Sequence, residues 1–199
     1  MVFRSTKVAS SSAFVLGVLT IAAMLTGVFL IAALGGSSGR DLGSNAGGMA
    51  FKNAAPLLIV AELLKVALGT CQAMVVRCAV EVQGKWRGGA LLSGYAGAAL
   101  IAASGLVGIY AVYAESRGLG AWASALGFAS AGATAIWAIA FVSGTNLVLK
   151  PWHRIIGLTF AAASVLSLIV APVGMVAGLI SLLWWFGLSR AFASFQLRT

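Results

Sequence analysis

The run Ser12-Ala-Phe-Val-Leu-Gly-Val-Leu-Thr-Ile-Ala-Ala-Met-Leu-Thr-Gly-Val-Phe-Leu-Ile-Ala-Ala-Leu34 contains no charged residue. At about 1.5 Å of rise per residue, a helix of this length crosses the roughly 30 Å hydrocarbon core of a bilayer. Arg4 and Lys7 precede it, so a cleaved signal sequence is the rival reading. The apolar core of a signal sequence is much shorter, about 7–15 residues. A retained transmembrane anchor is therefore expected.

The rest of the chain has the same character. Of 199 residues, 61% are hydrophobic and 9% charged, with a mean hydropathy of +1.03. Soluble domains carry about 25% charged residues. Such a chain is neither a water-soluble globule nor a long disordered tail. Two cysteines are too few for a disulfide scaffold. The expected fold is all-α: a polytopic transmembrane helical bundle, with residues 1–199 forming one integral membrane domain.

Working outward from the first block, a polar, glycine-rich connection runs from Gly35 to Gly48 and has a loop's composition. A second apolar block covers about Ala54 to Val80, with Pro56 expected in its first turn, where a missing amide donor does no harm. Glu81, Lys85 and Arg87 return the chain to water. The third block spans about Gly89 to Tyr113, and the fourth about Ala121 to Leu149, ending at Lys150-Pro-Trp-His-Arg154. The last block, Ile155 to Leu188, would measure roughly 50 Å as one helix. That is too long for one crossing, and Ala171-Pro-Val-Gly174 at its centre can turn. Two short spans, about 155–171 and 173–189, bring the expected total to six.

Charge placement favours the same number. With six spans and a cytoplasmic N-terminus, one side carries Arg4, Lys7, Arg77, Lys85, Arg87, Lys150, Arg154, Arg190 and Arg198. The other carries Arg40, Lys52 and Arg117. Positive residues collect on the cytoplasmic side of membrane proteins. A five-span chain would move Arg190 and Arg198 outward and weaken that bias. The expected topology thus has both termini inside. The net charge of +9 is explained by headgroup anchoring, and no basic stripe or motif points to nucleic acid.

Trp86, Trp122, Trp152, Trp184 and Trp185 fall near the expected span ends, where amphipathic rings favour the headgroup level. They are read as interfacial anchors, with Trp137 the mid-span exception. Ser10 to Ser12, just before the first block, reads as a helix cap.

Lipid tails are as apolar as leucine, so helices in a membrane associate through small residues that let backbones approach. The fourth span offers Ala123, Gly127, Ala131 and Ala135 at four-residue spacing. The third offers Gly94, Gly97, Gly105 and Gly108, with Ala98 and Ala102 between them. The third and fourth spans are expected to pair through these residues.

Two ionisable residues fall deep in a span, Glu62 and Lys65. Their spacing of three lets them pair, and Gln72 lies farther along the same face. Glu62, Lys65 and Gln72 form a polar intramembrane stripe with two readings. One is a proton, ion or ligand path with Glu62 titrating; the other is an internal ion pair that orients the helix. Cys71 and Cys78 lie about 10.5 Å apart along one helix, beyond disulfide reach, and read as small core thiols. His153 is the one histidine, beside Lys150 and Arg154, and reads as headgroup-level decoration; no metal site is expected. The chain has no HExxH, GxSxG or P-loop pattern and no acidic pair suited to acid–base work.

Leu57-Leu-Ile-Val-Ala-Glu-Leu-Leu-Lys-Val66 and Leu182-Leu-Trp-Trp-Phe-Gly-Leu-Ser-Arg190 carry a resemblance to small bacterial six-helix integral membrane proteins of uncharacterised function. The resemblance covers about a tenth of the chain and implies a six-helix bundle in a bacterial inner membrane, with no particular activity. The leading expectation is a non-catalytic bundle, an accessory or structural subunit packed against other membrane subunits or against itself. Bound lipid is expected and a cofactor is not. A small transporter or channel using the polar stripe is the alternative. A third possibility is a membrane-embedded enzyme or a carrier of haem, quinone or pigment near His153 or Trp137.

Overall fold

The computed structural model describes residues 2–33, 45–145, 149–167, 169 and 173–196. These residues form six α-helices and no strand: α1 (Val2–Ala33), α2 (Asn45–Ala79), α3 (Arg87–Tyr113), α4 (Arg117–Gly144), α5 (Pro151–Leu166) and α6 (Val173–Gln196). Each helix packs on the next in sequence, and α6 returns to pack on α1, which closes a ring. Five helical stretches are long and apolar enough to cross a membrane: Lys7–Ala33, Asn53–Val82, Arg87–Tyr113, Arg117–Gly144 and Val176–Ser194.

Several boundaries differ from those expected. Ser10 and Ser12 lie inside α1 and cap nothing. The Ser10 hydroxyl instead donates to the Ser189 carbonyl oxygen of α6 at 2.9 Å, so it joins the first and last helices. Helix α2 begins at Asn45, so Pro56 lies in its interior rather than its first turn. Proline in a helix interior removes one backbone hydrogen bond, and lateral packing must offset that loss. Most of the 35–48 connection lies outside the described residues.

Helix α4 ends at Gly144, five residues before the limit expected for the fourth span, because its end docks on the α2–α3 connection. That connection is a 3₁₀ turn (Val80–Val82), an extended Gln83 and a left-handed Trp86 at φ 59°. The amides of Gly84 and Lys85 both donate to the Gly144 carbonyl oxygen at 2.9 Å. Gln83 Nε2 donates to the carbonyls of Lys85 and Ala140. Only glycine permits this closeness, since a Cβ at position 144 would collide with the Lys85 carbonyl.

Pro151 opens α5, where it needs no amide partner, and Lys150 before it is extended as pre-proline residues prefer. The last apolar block is two helices, not one rod. They run antiparallel: His153 of α5 lies beside Gly187 of α6, while Gly157 and Phe160 farther along α5 meet Trp184 earlier in α6. The break follows Leu166, and Gly174 of the expected turn already belongs to α6. Ala171 and Pro172 lie outside the described residues.

The largest buried side chains gather at one end of the ring. They come from the middle of α1 (Leu16), the end of α2 (Val75, Val76), the second half of α4 (Trp137, Phe141) and α6 from its midpoint onward (Trp184, Leu188, Phe192). Trp137 stacks on Trp185 at 5.9 Å and on Phe141 at 5.6 Å, and meets Trp184 edge-on at 6.3 Å. Phe160 of α5 stacks on Trp184. Toward the opposite end, Leu25, Phe29 and Ile31 of α1 and Val176 and Leu179 of α6 point outward. An outward apolar surface of this kind suits lipid as solvent.

Trp137 is the hub of the aromatic cluster, whereas Trp122 is exposed. Trp137→Ala should therefore cost about 3–5 kcal/mol, as truncation of large buried aromatics does. Trp122→Ala should stay within about 0.5 kcal/mol. Unfolding of the purified variants in mild detergent measures the difference, and equal losses would mean the cluster is not the core.

Candidate functional site

The polar residues of α2, α3 and α4 form a seam centred on the glycine face of α3. Glycine presents no side chain, so a helix carrying several on one face can be approached closely by both neighbours. Gly94 lies under Val76 of α2 and Trp137 of α4. Gly97 lies under Gln72 of α2 and Thr134 of α4, where a Cβ would come within 2.5 Å of the Thr134 hydroxyl and 3.0 Å of Gln72 Nε2. Gly105 and Gly108 both face Glu62 of α2, one against its backbone carbonyl and the other against its carboxylate.

The sequence alone suggests pairing of α3 with α4, but the structure shares the α3 glycines between α4 and α2. On the α4 side, Ala123 and Ala135 are buried, Ala131 is half-buried, and Gly127 faces the Ser104 hydroxyl with room to spare. A Cβ at Gly127 would stand 3.4 Å from Ser104 Oγ, an ordinary contact.

Within this seam the expected stripe resolves into two separate contacts. Lys65 Nζ donates to both oxygens of Glu62 at 2.8 Å, an ion pair within one helix. The Glu62 side chain is 14% exposed and that of Lys65 34%. Gln72 lies ten residues beyond Glu62, about 15 Å along the helix axis. Its Nε2 donates to Thr134 Oγ1 of α4 at 3.0 Å, passing over Gly97. Between the two contacts Gly69 meets the Ala98 carbonyl, so backbone interrupts the polar line.

Three residues that sequence reasoning passed over complete the seam. Ser104 of α3 donates to the Ala123 carbonyl at 2.7 Å, Ser130 of α4 donates to the Gly97 carbonyl at 2.8 Å, and Thr134 accepts from Gln72. All three side chains are buried. Their sequence signal is hydroxyl residues interleaved with small ones, since Ser130 and Thr134 sit one position before Ala131 and Ala135. A hydroxyl on a closely packed helix reaches the neighbouring backbone.

The tryptophans divide. Trp86 and Trp122 are 70% and 68% exposed and Trp152 is also exposed, as headgroup anchors would be. Trp184 and Trp185 are 1% and 4% exposed and belong to the aromatic core. They turn inward because Gly157 leaves a hollow on α5 that Trp184 fills. His153 is also buried rather than peripheral, stacked on Trp152 at 3.6 Å against the Gly187 backbone of α6. Cys71 and Cys78 are free thiols, with Cys78 in the core and Cys71 packed beside it. Among the described residues no group of three or more His, Cys, Asp and Glu side chains is placed to hold a metal ion.

The unequal space at the two α3–α4 glycines generates a test. Gly97→Ala forces a methyl into the Gln72–Thr134 contact and the Thr134 backbone, and overpacking of this kind costs about 1–3 kcal/mol. Gly127→Ala should remain within about 0.5 kcal/mol of the parent. Thermal unfolding in detergent ranks the pair, and an equal loss at both positions would place the tight contact elsewhere.

Comparison of the chain with protein-family models, with curated proteins and with solved structures gives no match.

Proposed function

We propose that the chain is a non-catalytic integral membrane bundle, an accessory or structural subunit that packs against other membrane chains in a bacterial inner membrane. The observation that carries this reading is how the stripe's polar groups are used. Glu62 and Lys65 neutralise each other within α2, and Gln72 is consumed in a contact to α4. A charge pair closed on itself and seated on glycines orients a helix and adds rigidity. A proton path would instead hold a titrating group ready to exchange with water.

The test compares the wild type with Glu62→Gln and with the Glu62→Leu, Lys65→Leu double variant, each isolated from its own membranes in mild detergent. Wild type and double variant are expected to be stable and to come with the same companion chains. Glu62→Gln leaves Lys65 unpaired in low dielectric, at about 2.5–3.5 kcal/mol on insertion scales, and should be the least stable. A chain that comes alone, and whose double variant abolishes ion or proton flux in vesicles, overturns this reading in favour of the transporter.

The topology belongs to the same proposal: six spans with both termini in the cytoplasm. Helix α5 has 16 residues, about 24 Å by its rise, and is shorter than the hydrocarbon core. Local thinning of the bilayer accommodates a short span at modest cost. Its antiparallel packing on α6 and the gathering of basic residues on one side support the sixth crossing. Reporter fusions after Gly48 and after Thr199 should lie on opposite sides of the membrane. Both on one side would leave five spans.

A further inference from the structure

Where α2 and α3 cross, Gly69 meets the backbone of Ala98 and Ala102, and the helices are drawn together. On the outer flank of that contact glycine and alanine leave the angle between the helices open, with Met74 at its edge. A trough of about 480 Å³ results, with Gly69, Ala73, Ala99 and Ala102 on its walls. Thr70, also on its wall, spends its hydroxyl on the Val66 carbonyl of its own helix, so that residue adds no free donor.

Arg77 and Tyr95 also line the trough. Both are exposed, and both lie toward the end of the bundle where α2 finishes and α3 begins. Lys85 in the connection and Arg87 at the start of α3 follow, so three cations stand there against one carboxylate, Glu81. The same groove therefore runs from an apolar slot in mid-helix to a guanidinium near the end of α2 and a phenol two turns into α3. Both of its helices are among those long and apolar enough to cross a membrane; with α2 and α3 spanning as proposed, the slot falls at acyl-chain depth and the cation near headgroup depth.

We propose that this trough binds one anionic phospholipid, its acyl chain lying between Ala73 and Ala99 and its phosphate held by Arg77 and Tyr95. Guanidinium groups bind phosphate through paired charge-assisted hydrogen bonds, and a phenol adds a neutral donor. The small-residue walls give the chain a fixed bed that an ordinary convex helix surface does not offer. The site rests on the membrane-spanning reading of α2 and α3, and it goes beyond that reading in making one lipid class a specific ligand.

The full chain, purified in mild detergent, is titrated with phosphatidylglycerol, phosphatidylcholine or glycerol phosphate. Retained lipid is counted by intact-mass measurement, and stability is followed by thermal unfolding. One phosphatidylglycerol is expected to bind and raise the unfolding temperature, with glycerol phosphate inert and phosphatidylcholine weaker. Arg77→Gln should weaken that binding about tenfold or more, the loss expected for a charge-assisted phosphate contact. Ala99→Leu, which fills the trough from its exposed wall, should abolish the selectivity without unfolding the chain. Tyr95→Phe should show a smaller loss. Lys150→Gln, which removes a cation on another helix, should bind as the parent does. Equal binding of both lipids, binding unchanged in Arg77→Gln and Ala99→Leu, or an equal effect of glycerol phosphate overturns the site. None of these results would disturb the membrane-spanning reading, which the reporter fusions test separately.

Discussion

The close approach of α3 to its two neighbours is the contact on which the rest of the bundle depends. In a hydrocarbon solvent, apolar side chains gain nothing by leaving lipid for protein, so helices are held by short backbone distances and the polar contacts these allow. Gly97 shows the principle in one residue. With no side chain there, Gln72 of α2 and Thr134 of α4 meet across the helix between them, and Ser130 reaches the Gly97 carbonyl. Helices α5 and α6 then fold back, and α6 closes on α1 through Ser10 and Ser189.

The stability of the ring is distributed unevenly along its axis. Large aromatic side chains interlock at one end, where Trp137, Phe141, Trp184, Trp185 and Phe192 come together. The seam of glycine, serine and threonine lies along α3, and the outer halves of α1 and α6 turn apolar residues outward. Aromatic packing needs facing hollows, and Gly157 supplies one for Trp184. The ion pair within α2 fits the same economy of space. Glu62 and Lys65 satisfy one another on their own helix, and Gly108 provides the gap in which the carboxylate lies.

Helical class and approximate span positions were legible because the signal is one-dimensional. A charge-free run long enough to cross a bilayer declares itself whatever its neighbours do, as Ser12–Leu34 does. The pairing of Glu62 with Lys65 was equally local, since a spacing of three along one helix places them together. What failed to show was everything set by a neighbouring helix. Ser10 bonds across to α6 instead of capping. Helix α4 stops at Gly144 because the Gly84 and Lys85 amides both claim its last carbonyl.

The sequence by itself determined that this is a chain of apolar helices, that the last apolar block must break, and that small residues line the third and fourth helices. Those properties depend on composition and period, which each segment carries within itself. Only the tertiary structure decided which partners the small residues admit. It gave the α3 glycines to both α2 and α4, split the polar stripe into an ion pair and a hydrogen bond, and turned Trp184, Trp185 and His153 inward. The physical reason is that a helix face has no partner until another helix occupies it. Burial, hydrogen bonding and the trough between α2 and α3 are properties of the pair, and no single segment encodes them.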